Sequence, residues 1–181
     1  LDDTSNVAVL GGPPDDCDVA PSEPSPDGAG LRVRLLEARD RESIRHILRQ
    51  HHATTVFRNQ PFSDWKLDRH FQFILSRPPR MACLVAVWKG EVVSVAWASA
   101  DSYMLSDGPL FSTVQVIAVD LERPSLWRAK VFLTLVAGKH WAALMGASHT
   151  FVHVTTGSNP KAMDRLMRAT EAQFIGGAYV L

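Results

Sequence analysis

Apolar and polar positions change rhythm several times along this chain, and each change marks an element. Residues 31–36, LRVRLL, alternate and predict a first strand. From Asp40, a predicted helix N-cap, Ile44, Ile47 and Leu48 recur on one face of a helix reaching about Thr54. Ser63 or Asp64 opens a second helix with Trp65, Phe71, Ile74 and Leu75 as its apolar set, stopped by Pro78 and Pro79. MACLVAVW and EVVSVAWASA flank Lys89-Gly90 and predict a β-hairpin. A loop with Asp107, Gly108 and Pro109 leads to a fourth strand over 112–119. A long helix is predicted from about Pro124 to Met145, with Gly146 as its C-terminal stop. HTFVHVTT predicts a fifth strand, 159–171 a last helix, and FIGGAYVL a closing strand. The order β-α-α-β-β-β-α-β-α-β predicts an α/β (α+β) domain: a central mixed sheet with helices on both faces.

Charge divides the chain in two. Its 19 basic and 19 acidic residues cancel, but residues 1–30 hold seven carboxylates (Asp2, Asp3, Asp15, Asp16, Asp18, Glu23 and Asp27) and no Lys or Arg. With five prolines besides, this segment is expected to be an acidic extended arm, too polar to order itself. Residues 31–181 form the folded domain, with a compensating positive excess. Its densest basic cluster is Arg32, Arg34, Arg39, Arg41, Arg45 and Arg49, which suits a solvated helix face or a receiver for the acidic arm. Other basic residues are spread without interleaved aromatics, so nucleic acid is not an expected partner. No apolar run reaches the ~18–20 residues of a membrane span, and no secretory signal pattern opens the chain. Cys17 and Cys83 match no metal-ligand spacing, no metal is expected, and two free thiols are the expected state. A Leu at position 1 suits processing, trimming or a UUG or CUG start codon, which the intact mass of the native protein would separate.

The element order, with two helices after the first strand, resembles the GNAT N-acetyltransferase fold over residues 31–181. VIAVDLERP resembles that family's fourth strand and the turn entering its cofactor helix. KHWAALMGASHTFVHV resembles the end of that helix and the fifth strand, and Asn159, Ala162 and QFIGGAYVL resemble the last helix and terminal strand. The phrasing is most similar to divergent GNAT-like proteins of tailed bacteriophages.

The resemblance implies an acyl-CoA pyrophosphate at the turn after the fourth strand, where helix N-terminal N–H groups and glycines would receive it. The family's turn reads Arg or Gln, two residues, Gly, one residue, then Gly or Ala. Aligned from Arg123, this chain has Leu126 and Arg128 at the two small positions, and Pro124 removes one N–H donor. The cofactor contacts implied are Ile117, Val119, Arg123, Arg128, Ala129 and Asn159; the two guanidiniums either replace the missing glycines as phosphate ligands or are surface charges or contacts to a partner. The family often places a carboxylate on the fourth strand and a tyrosine on the last helix. Gln115 and Leu166 stand there instead, while Tyr103 and Tyr179 fall off the motif.

His153 is the candidate general base if the chain is an enzyme, because the fifth strand lines the cofactor cleft in this family. It cannot share a metal ion with His149, since four strand residues span roughly 13 Å. His51 and His52 read as favourable charges at the first helix's C-terminus. Trp88, Trp97 and Trp141 read as core, and Trp127 as a filler of the altered pocket or a protein contact. The glycine-free turn, the missing acid and the acidic arm together predict a GNAT-fold protein without a cofactor, acting as a structural or binding accessory. The phage-like phrasing implies a virion component, located in the particle or the host cytoplasm and contacting other proteins of a larger assembly through residues 1–30. The alternative is an active N-acetyltransferase that uses acetyl-CoA on an unknown amine.

Overall fold

The computed structural model describes residues 30–123, 131–154 and 160–176. Its sheet has the order β1-β2-β3-β4-β5, with strands Arg32–Leu35, Met81–Trp88, Glu91–Asp101, Phe111–Val119 and His149–Val152. Each of the first four runs antiparallel to its neighbour in that set, and β5 runs parallel to β4. Helices α1 (Arg41–Thr54) and α2 (Asp64–Leu75) follow β1. Helix α3 (Val131–Leu144) belongs to the crossover between the parallel strands, and α4 (Pro160–Ala169) follows β5. The mixed α/β architecture expected from the hydrophobic pattern is therefore present.

Local chemistry explains most boundaries. Lys89 and Gly90 both have positive φ (49° and 85°), as a two-residue hairpin turn matched to strand twist requires. The Ser63 hydroxyl accepts the Lys66 N–H at the start of α2. Gly146, at φ 73°, ends α3, and the Ala147 N–H reaches back to the Ala142 carbonyl at 3.0 Å. Asp40 departs from its expected role. It closes a short 3-10 turn, Ala38–Asp40, and caps no N–H of α1; its carboxylate instead accepts two bonds from Arg34 and one from the Glu37 N–H.

Two cores sit on opposite sheet faces. Ile44, Ile47 and Leu48 of α1 and Leu67, Phe71 and Ile74 of α2 pack on Cys83, Val85, Val95 and Ala118. Phe71 is 2% exposed, and truncating such a residue to Ala costs about 3–5 kcal/mol. Trp65, expected in this set, is exposed and lies under the Arg69 guanidinium, while Leu67 takes the inward place. On the other face, Ala96, Ala98, Val114 and Ile117 meet Trp141 of α3 and Met167 of α4. At Gly138, α3 lies close to this face: a β-carbon there would make ordinary contact, 3.9 Å from both Leu84 and Val114.

The arginine cluster near α1 is largely neutralised within the domain. Arg34 pairs with Asp40, Arg39 with Glu37, Arg41 with Asp68, Arg45 with Glu42 and Asp68, and Arg49 with Asp64. The pairs made by Arg41, Arg45 and Arg49 with Asp64 and Asp68 tie α1 to α2; the acidic arm, the other expected neighbour of this cluster, lies outside the described residues. Residues 174–176 of the expected closing strand belong to no strand, and 177–181 are outside the described residues.

Candidate functional site

The site begins with a break in pairing. Strands β4 and β5 pair from Phe111↔His149 to Val114↔Val152, and the His153 N–H adds a last bond to the Val114 carbonyl at 3.1 Å. Beyond that point β4 continues through Gln115–Val119 beside β3 alone, among the described residues. The register with β3 shifts at this place: Ala98 opposes Val114 and Trp97 opposes Val116, so Gln115 is an extra residue. Such a bulge bends its strand and ends pairing on one side. It also explains why Val114 and Ile117, three apart, share a face while Val116 and Ala118 join the opposite core.

A narrow cleft occupies the gap, at the carboxyl ends of the parallel pair, where open α/β sheets bind ligands. His51 of α1, Gln115, Val116 and Ile117 of β4, His153 and Val154 beyond β5, and Met163 of α4 line it. Gln115 is exposed, and its amide donates to the Ser99 hydroxyl at 3.2 Å. His51 is half-buried. Burial, reinforced by the neighbouring His52, pushes its imidazole below the ordinary histidine range, so it is neutral near pH 7. This revises its sequence reading: His51 supplies the cleft with an uncharged base rather than the helix terminus with a cation. The signal was available, because His51 extends the stripe Ile44–Ile47–Leu48 by one more turn.

Below the cleft, the turn leaving β4 is fixed from three sides. The Asp120 N–H donates to the Val93 carbonyl, and the buried Asp120 carboxylate accepts the Glu122 N–H and the Arg123 Nε–H. Arg123 also pairs with Glu91 of β3. From α1, the Gln50 carbonyl oxygen accepts the Leu121 N–H at 2.8 Å, while its amide nitrogen meets Glu122 and His46. Donor atoms of His46, Asp120 and Glu122 lie within 4.8 Å of one another, and they are engaged by Gln50 and Arg123.

The residues expected at the site are thus partly assembled. His153 lines the cleft and is exposed. Ile117 and Val119 lie on the stretch of β4 without a β5 partner, with Ile117 buried against the α3 side. Arg123 stands at the exit turn with its guanidinium held by two carboxylates. Arg128, Ala129 and Asn159 lie outside the described residues, as do Pro124, Leu126, Trp127 and Tyr179. Leu166 is half-buried on α4, and Tyr103 is exposed in the β3–β4 loop.

No family model and no curated protein sequence matches the chain. Solved structures do. An aminoglycoside N-acetyltransferase, AAC(6')-Iy, in complex with CoA superposes with a TM-score of 0.66 at 16% identity, covering 87% of this chain and 97% of that one. A transcriptional regulator from Bacillus halodurans gives 0.65 at 13% identity over 84% of this chain and 100% of that one. A GNAT family acetyltransferase from Staphylococcus aureus gives 0.54 at 7% identity over 83% and 96%. Element order, the parallel β4–β5 pair and these superpositions agree, and the chain has the fold of the GNAT acetyltransferases.

Proposed function

We propose that this protein is an acyl-CoA-dependent N-acyltransferase, with acetyl-CoA as the donor and a primary amine as the acceptor. The observation that carries this reading is the edge of β4 from Gln115 to Val119, left without a partner on the β5 side beyond the bulge among the described residues. The pantetheine arm of an acyl-CoA is a chain of amides, and a free strand edge receives such a chain through main-chain hydrogen bonds. The Gln115–Val119 edge therefore fits the donor's arm, and the cleft with His51 and His153 stands where its acyl end would lie. Acyl transfer to an amine needs a deprotonated nitrogen, and the two imidazoles are the described groups in the cleft able to take that proton. Likeness to a CoA-bound aminoglycoside acetyltransferase adds support for the donor.

The test is calorimetric titration of acetyl-CoA into the full chain. Saturable one-to-one binding at micromolar ligand is expected. A non-catalytic accessory role, including the virion role implied by the phage-like phrasing, predicts no binding at millimolar acetyl-CoA, and that result would overturn the proposal.

A further inference from the structure

We propose that His51, rather than the more exposed His153, is the group that takes the proton from the acceptor ammonium; the assignment rests on the acyltransferase reading above. His51 sits on the last turn of α1, a helix anchored by Ile44, Ile47 and Leu48 in the core, so its position is set by packed structure. The imidazole enters the cleft beside Gln115 of the bulge, at the end of the β4–β5 pairing. The titratable groups around it are His52 on its own helix and His153 beyond β5; Gln115 from β4 and Met163 from α4 are neutral. No carboxylate lines the cleft among the described residues. The C-terminus of α1 favours the imidazolium, but burial and the neighbouring His52 disfavour it and lower the ring's value on balance, so it is held as a free base. His153 is solvent-exposed and lacks this protection from water.

The step is a single proton transfer. One N–H bond of the acceptor ammonium breaks, and the proton joins an imidazole nitrogen of His51, leaving a neutral amine with its lone pair available. Over the full reaction, ammonium and thioester become amide, thiol and one proton. The proton that His51 holds is the one released to solvent, and the second proton lost by the nitrogen balances the departing sulfur.

The experiment has two readouts on the full chain. The first follows the His51 ring by NMR against pH, assigned through the signal lost in His51→Gln. A midpoint below about 6.5, the ordinary histidine value, that moves when acetyl-CoA is added is expected. A midpoint at or above that value, or one indifferent to acetyl-CoA, overturns the assignment without an enzyme assay. The second measures turnover against pH over a panel of primary amines (polyamine, amino sugar, lysine peptide) for wild type, His51→Gln and His153→Gln. His51→Gln is expected to lower turnover about 10²-fold or more and to abolish the acid limb, with acetyl-CoA affinity retained. If His153→Gln abolishes that limb and His51→Gln keeps it, the assignment falls while the acyltransferase reading stands. If acetyl-CoA does not bind wild type, the reading itself falls. Should His51→Gln fail to fold, His51→Asn supplies the assignment, and the wild-type titration with and without acetyl-CoA decides.

Discussion

The Gln50 side-chain carbonyl on α1 accepts the backbone N–H of Leu121 across 2.8 Å, tying the first helix to the turn by which the chain leaves β4. The same side chain donates to Glu122, and the turn is closed by Asp120 and Arg123. Glycine would let such a turn approach a phosphate, whereas this chain stiffens its entrance with side-chain bonds. Replacing Gln50 with Ala should cost about 1 kcal/mol in urea unfolding. If the turn orients the donor site, acetyl-CoA affinity measured by calorimetry should fall several-fold with the stoichiometry unchanged.

Arg34 and Asp40 form a second fixed pair, with two bonds of 2.7 and 2.8 Å and the Asp40 residue 3% exposed. Burial works against the carboxylate's charge, but Arg34 and the Glu37 N–H more than offset it and hold the group below its usual range. A carboxyl depressed on folding contributes stability above its unfolded value, near 3.9, and loses it as pH falls through the folded value. Wild type should therefore lose stability below about pH 4, and Asp40→Asn should flatten that part of the profile. Removing the buried partner altogether, as Asp40→Ala, should cost about 3 kcal/mol at neutral pH, read from the denaturation midpoint.

Gln115 offers a direct handle on the cleft. Placing a carboxylate there, as Gln115→Glu, gives His51 an opposite charge in the same small space. The His51 titration midpoint should move upward, toward or past the ordinary value of about 6.5, because the nearby anion favours imidazolium. Proton NMR of the variant checks the sign. Turnover at neutral pH should fall, since more of the base is already protonated.

His51 also bears on stability. Its folded value is lowered by burial and by His52, so the unfolded chain binds its proton more readily. Stability should decline as pH drops below the unfolded value of about 6.5 toward the folded one. His51→Gln should reduce that decline in thermal melts between pH 7 and the lower value.

Cys83 is fully buried beneath α1 and α2, and burial raises its thiol far above the ordinary cysteine value. It should resist iodoacetamide in the native protein and react after denaturation, with peptide mass spectrometry locating the label.

Much of the fold was legible because its signals are local. The apolar runs flanking Lys89-Gly90 placed β2 to the residue and β3 to within one, that dipeptide announced their turn, and Gly146 marked the end of α3. The site was legible only in part. His153 was found through the family resemblance, whereas His51 was assigned to the helix terminus because its exposure depends on what packs over it. Trp65 failed as a core residue for a different reason: it lies on the side of α2 opposite Ile74, whereas Leu67, four before Phe71 and seven before Ile74, shares their face and is buried.

By itself, the sequence determined the succession of strands and helices and the amphipathic stripes that drive them onto a sheet. Tertiary structure decided what depends on distant partners. It set the register shift that makes Gln115 a bulge, the parting of β4 from β5, the carboxylate that each arginine engages, and the burial that keeps His51 neutral. Hydrophobic period fixes which side of an element faces in. Register, ion pairing and desolvation are set only when elements far apart in the chain meet.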